Sequence, residues 1–248
     1  MVPLGHGTED PVVLLVHDGT GKFYNFAELP PLLDPNRKVL GLTAGDADTY
    51  LKAAPGVLLA RRVSAYARLV RTERPGAVQV AGFGSTAVLA LELARALTTG
   101  GVPVQRVVLL DPYRLTADPG EVALEYLFAR EIGVAPAIAG LPETFAEVPG
   151  AQPAGAREDR IAAIGAAVQI ATDLTAASRF EIFCRTTAAL YGYRVQPYTG
   201  PVHIVGAPEP GLDGLVAELR AGGIADVTEH GSDAGMTELA ELLNGAQA

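Results

Sequence analysis

The run Val78-Gln-Val-Ala-Gly-Phe-Gly-Ser-Thr-Ala87 is laid out like a mount for a catalytic nucleophile, but the nucleophile is missing. A β-branched stretch ends in Gly82-Phe83-Gly84-Ser85-Thr86, and an Ala- and Leu-rich stretch from Val88 to Leu97 follows at once. Strand, sharp turn and helix in that order are how the pattern G-x-S-x-G raises a serine hydroxyl at the end of a sheet to attack a carbonyl. The central position here is Gly84, which has no side chain to attack with. A register slipped by one would make Ser85 the nucleophile. The turn is crowded, however, and needs small residues two before and two after that position. Centring on Ser85 puts Phe83 and Ala87 there, whereas centring on Gly84 puts Gly82 and Thr86 there. Gly84 is therefore the expected occupant, and Ser85 reads otherwise as a hydroxyl capping backbone amides at a helix start.

The elements that would hold this turn are legible on either side of it. Pro11 to Val16 and Arg106 to Leu110 are continuous apolar runs, as buried parallel strands are, and Lys38 to Leu42 is a third strand beside the one that starts at Val78. Helical spacing of apolar residues covers Phe23 to Leu33 and Val57 to Arg74. Strands alternating with helices imply an α/β fold: a mainly parallel, doubly wound sheet. From Tyr113 to about Arg194 the alternation stops. Three helical patterns follow, near residues 119–132, 156–172 and 174–192, with a Pro/Gly/Ala loop from Pro142 to Gly155. Such an insertion reads as a lid over the strand ends. Pro201 to Val205 resumes the sheet, Asp226 to Glu229 is its last strand, and Met236 to Asn244 forms a closing helix. The expectation is one domain over residues 1–248, with a core of 1–112 and 195–248 and a lid at about 113–194.

Composition narrows the function. A formal charge of −9 opposes binding to nucleic acid, which needs a basic face. No apolar run reaches membrane-spanning length, and Met1 to Pro11 lacks a signal-peptide layout, so no membrane association is expected. A lone Cys184 allows no internal disulfide and fits a reducing cytoplasm. The four histidines and single cysteine have no metal-ligand spacing, and neither a metal nor another cofactor is expected.

In this order the landmarks resemble the thioesterase domains of nonribosomal peptide and polyketide synthases, and the likeness spans nearly the whole chain. Val13-Leu-Leu-Val-His-Asp-Gly-Thr-Gly21 stands for the family's V-H-x-x-G-G opening, Val39 to Leu42 for its second strand, and Ala81-Gly-Phe-Gly-Ser-Thr86 for its A-G-W-S-F-G elbow. Val107-Val-Leu-Leu-Asp-Pro112 stands for the L-L-D-S strand end, and Tyr193 to Ile204 for the Y-x-P-x-P-Y-x-G-x-V-x-L lid exit. The resemblance implies an α/β-hydrolase fold with a helical lid insertion and a Ser-Asp-His triad. It also implies a partner, an acyl or peptidyl carrier protein with a phosphopantetheine-linked polyketide or peptide intermediate.

Carried over position by position, the triad fails. The serine falls on Gly84, and the acid on Asp111, which is kept. The histidine of G-x-H-x-x-M falls on Asp233 in Gly231-Ser-Asp-Ala-Gly-Met236. Asp18 follows His17 where proline is usual, in the loop His17-Asp18-Gly19 that would supply oxyanion-hole amides, and a carboxylate there opposes a developing oxyanion. Asp111 and Asp233 read either as turn and cap residues or as a proton-sharing pair able to do acid–base chemistry without a nucleophile. His230 is a strand-end residue unless its loop swings it toward Asp111. His17 reads as structural, and Cys184 as a small buried hydrophobe unless the lid sets it over Gly84. Two functions stand. One is a pseudo-thioesterase that binds an acyl or polyketide chain or a carrier protein. The other is a non-covalent enzyme (cyclisation, dehydration or product release) using Asp111 and Asp233. For either, an apolar pocket is expected above Gly84, since the lid patterns show no obvious charged residue to close it.

Overall fold

Uniformly apolar strands need cover on both faces, and the sheet they build here is buried from both sides. A computed structural model describes residues 1–115, 117–168, 175–191, 193–206, 213–224, 226–231 and 235–245. In chain order the elements are β1 (Val2–Pro3), β2 (Glu9–Val16), β3 (Arg37–Leu42), α1 (Ala47–Lys52), α2 (Pro55–Glu73), β4 (Val78–Phe83), α3 (Ala87–Thr99) and β5 (Val104–Leu110). There follow β6 (Tyr113–Arg114), α4 (Glu121–Glu131), α5 (Arg157–Ala167), α6 (Ala176–Leu190), β7 (Val202–Val205), β8 (Asp213–Gly214), α7 (Leu215–Ala221), β9 (Val227–His230) and α8 (Gly235–Asn244). Strands pair in the order β1-β3-β2-β4-β5-β7-β9, all parallel except for β1 at the edge.

Alternation along each strand sends successive side chains to opposite layers. Leu14, Val16, Val80 and Val107 pack with residues of α2, α3 and α7, such as Val70, Leu93 and Leu219. Val13, Leu15 and Val108 face Phe26, Leu29 and the α8 residues Leu239 and Leu243. The helical insertion has its own core, centred on Tyr126, Phe128, Ile164 and Phe183. Glu125 is buried there as well, held by Arg160 at 2.6 and 2.9 Å. Among the described residues no helix is long and apolar enough to cross a membrane.

The segment from Phe23 to Leu33 departs from its expected helix. It forms two short 3-10 turns, Tyr24–Phe26 and Pro30–Leu32. Pro30 and Pro31 have no amide hydrogen to donate, so an α-helical ladder cannot run through them, although the apolar spacing still seats Phe26, Leu29 and Leu33 in the core. The insertion is not wholly helical either, since β6 pairs antiparallel with β8 before α4 begins. The loop after β2, the elbow after β4, Asp111 after β5 and His230 at the end of β9 all lie at the carboxyl ends of parallel strands. Open α/β sheets bind ligands at that edge.

Candidate functional site

The elbow is formed at Gly84. Its φ is +54°, a left-handed backbone that only glycine adopts freely, and it turns β4 into a 3-10 turn that leads into α3. Gly82 is equally constrained, because a Cβ there would sit 2.6 Å from Ala90 Cβ and 3.2 Å from Ala87 Cα. Thr86, the second small position, is buried with its hydroxyl 2.7 Å from the His17 carbonyl and 2.9 Å from the Phe83 carbonyl. That contact ties the elbow to the loop after β2.

The space beside Gly84 is filled from the insertion. Glu131, the last residue of α4, is 1% exposed. Its Oε1 accepts from the Gly19 amide at 2.8 Å and from the Ser85 hydroxyl at 2.8 Å, and its Oε2 from the Tyr113 hydroxyl at 3.4 Å. A Cβ on Gly84 would collide with Oε2 and lie 3.1 Å from Cδ and 3.3 Å from Oε1. A Cβ on Gly19 would lie 2.8 Å from Oε1 and 2.7 Å from Phe183 Cδ2. Both glycines therefore make room for the carboxyl group. Burial, with the Asp18 charge added, pushes Glu131 up to about 8, so it holds its proton at neutral pH. Ser85, expected to cap helix amides, gives its hydrogen to Glu131 instead.

Asp18 is also buried, but its carboxyl turns back into its own loop. Oδ1 accepts from the Thr20 amide at 2.9 Å, the Thr20 hydroxyl at 2.5 Å and the Lys22 amide at 3.3 Å, and Oδ2 from the Tyr24 amide at 3.0 Å. Burial outweighs these four donors and pushes Asp18 up to about 6. His17 is neutral, pushed down to about 4 by burial. Its Nδ1 lies 2.6 Å from the Asp18 carbonyl, and its ring meets Tyr50 and Tyr66 edge-on, as a structural histidine does.

The pairing of β4 with β5, Phe83 against Leu110, puts Asp111 beside the elbow. Asp111 has φ of +44° and packs on Gly206, where a Cβ would lie 2.9 Å from Asp111 Cγ. Asp233 lies outside the described residues. His230 is engaged elsewhere: Nδ1 is 2.7 Å from Glu238 on α8, and Nε2 is 3.2 Å from His203 Nδ1 on β7. Cys184 lines a cavity of about 400 Å³ on α6 with Leu51 and Arg157, and burial pushes its thiol up to about 12. Of the residues singled out in the sequence, Gly84, Ser85 and Gly19 thus meet at one carboxyl, with Asp18 in the same loop.

Among the described residues, it is the Glu131 carboxyl that lies directly against Gly84. The cavity beside Ser85, lined by Val88, Tyr113, Arg114, Leu115, Thr187 and Leu190, measures about 10 Å³, room for one water at most. Glu131 closes the space, and the sequence carried a signal for it. Leu127, Phe128 and Glu131 share one helical face, so a carboxyl extends an apolar stripe at the i+3 and i+4 positions.

No protein-family model matches the chain. Over 214 residues it is 25% identical to pyochelin synthetase PchF of Pseudomonas aeruginosa, and the match covers 77% of this chain but 12% of the synthetase. In structure it is similar to the four-domain nonribosomal peptide synthetase AB3403 bound to AMP and glycine (TM-score 0.69, 19% identity), over 98% of this chain and 19% of that one. It is also similar to the NocB thioesterase domain from the nocardicin cluster (TM-score 0.60, 22% identity, 95% and 88% covered) and the Vlm2 thioesterase domain (TM-score 0.61, 16% identity, 99% and 96% covered). With its mostly parallel sheet flanked by helices, the chain has an α/β-hydrolase-like fold, similar to that of the NocB and Vlm2 thioesterase domains.

Proposed function

We propose that this thioesterase-like domain has given up acyl-enzyme chemistry and acts as a pseudo-thioesterase, binding an acyl or polyketide chain, or the carrier protein that presents it. The observation that carries this reading is the pairing of Gly84, at φ +54°, with a Glu131 carboxyl in the space a nucleophile side chain would fill. The donors nearest that space, the Gly19 amide and the Ser85 hydroxyl, are already engaged by Glu131. Incubation with a fluorophosphonate or an activated acyl thioester, followed by intact-mass measurement, is expected to give no adduct. A stoichiometric adduct on Ser85 would overturn the reading. Gly84→Ser alone is expected to leave hydrolysis undetectable, because a new side chain there meets Glu131 and the histidine position carries Asp233.

A second reading has one observation in its favour. Glu131 and Asp18 are buried carboxyls at one site whose proton affinities are raised unequally, to about 8 and about 6, as acid and base partners are. In that reading the domain carries out proton transfer on a bound chain, with Asp111 and Asp233 as further acid–base candidates. Product analysis by mass for the wild type, Glu131→Gln, Asp111→Asn and Asp233→Asn separates the two. Turnover abolished by any of these substitutions favours the enzyme, and binding with the ligand unchanged favours the pseudo-thioesterase.

A further inference from the structure

Three hydrogen-bond donors converge on the elbow from three segments: the Gly19 amide after β2, the Ser85 hydroxyl in the 3-10 turn before α3, and the Tyr113 hydroxyl on β6. Donors gathered this way suit an oxygen acceptor on a flat carbonyl-type group. The group they hold belongs to the protein itself. Glu131 is carried on the final turn of α4, and the Asn25 side-chain amide donates to the Glu131 carbonyl, so the end of that helix is tethered to the loop below. Glycine at positions 19 and 84 shapes two separate backbone segments around the same carboxyl. Beside Ser85 and Tyr113 lies a cavity of about 10 Å³ whose other lining residues are Val88, Arg114, Leu115, Thr187 and Leu190.

We propose that Glu131 is an internal carbonyl mimic that holds the elbow pocket shut, and that an uncharged acyl carbonyl, of a thioester or an amide, binds there only as α4 withdraws it. The proposal rests on the acyl-binding reading above and adds the ligand's chemical class and the gate. The ligand is uncharged because Asp18, buried and next in the chain to the Gly19 amide that Glu131 engages at 2.8 Å, would repel an anion there. It offers an acceptor oxygen because the Gly19 amide can only donate, with the Ser85 hydroxyl able to donate to the same oxygen as it does to Glu131. A ligand competing with a tethered internal group meets that group at high effective concentration, so removing the group raises the apparent affinity.

The test is calorimetric titration with the octanoyl thioester of N-acetylcysteamine, against the wild type, Glu131→Gln, Glu131→Ala and Asn25→Ala. Glu131→Ala is expected to bind at least about tenfold more tightly than the wild type, with Glu131→Gln like the wild type because it keeps the occupant. Asn25→Ala leaves the carboxyl in place but loosens its tether, and a smaller gain is expected; if Glu131→Ala does not fold, this variant decides. Binding by the wild type with no gain in the deciding variant would overturn the gate while leaving acyl binding intact. If no variant binds the thioester, the acyl-binding reading fails, and the gate is judged separately with propionamide. A rise in melting temperature in that deciding variant but not in the wild type upholds a carbonyl pocket under Glu131, and no rise overturns it.

Discussion

Gly84 and Glu131 constrain one another. Gly84 has a left-handed backbone at the end of a strand and no side chain. The volume beside it does not stay empty in a close-packed interior, and here it is taken by a carboxyl from another element. The two positions should therefore be energetically coupled. Gly84→Ala is expected to destabilise by about 1–3 kcal/mol through its positive φ, and by more through collision with Oε2. In a Glu131→Ala background only the backbone cost remains. Urea denaturation of the two single variants and the double variant is expected to give an interaction energy of about 1 kcal/mol or more, the double variant being less destabilised than the sum. Strict additivity would mean that the carboxyl does not occupy the space of the missing side chain.

At the scale of elements, α4 supplies the site while α5 and α6 hold α4 in place. The Glu125–Arg160 pair joins α4 to α5 in a two-pronged contact, with Glu125 fully buried and Arg160 partly so. Arg160→Met would leave the Glu125 carboxyl buried without its counter-charge, and a loss of about 3–5 kcal/mol is expected by chemical denaturation. A loss under about 1 kcal/mol would mean that Glu125 is not held as described. Most elements were legible in the sequence because their signals are local. Apolar strand runs gave β2 to β5 and β7, and helical spacing gave α2, α3 and the three inserted helices. The segment from Phe23 to Leu33 misled because apolar spacing alone cannot see that Pro30 and Pro31 interrupt the ladder. In the site, the positive-φ turn at Gly84 was legible from its crowding, whereas for Glu131 only its place on an apolar helical face was, since its partners Gly19 and Ser85 lie 112 and 46 residues away. Asp18 was read as facing the hole. Four donors within six residues of it turn it inward, a local arrangement that a motif comparison does not weigh.

Across the whole molecule, two carboxyls and one imidazole are buried at the same edge of the sheet, and they make stability depend on pH in opposite senses. His17, pushed down to about 4 from an ordinary 6.5, contributes stability above about pH 6.5 that is lost as pH falls toward 4. Asp18 and Glu131 are raised, so their contributions are fully present below their ordinary carboxylate range and are lost as pH rises through about 6 and about 8. Between about pH 6.5 and about pH 8, His17 is neutral in both the folded and the unfolded chain and Asp18 has mostly ionised. What remains is Glu131, protonated when folded and ionised when unfolded, with Tyr113 beside it too strongly held by burial to titrate in that range. One proton bound only by the folded state makes unfolding easier by up to about 1.4 kcal/mol per pH unit. Urea denaturation across this window is expected to show wild-type stability falling as pH rises and levelling off above about 8, while Glu131→Gln stays flat because its amide makes similar contacts without titrating. Parallel curves for the two proteins would mean that Glu131 ionises as readily in the fold as in water, and that its carboxyl does not sit dry in the elbow.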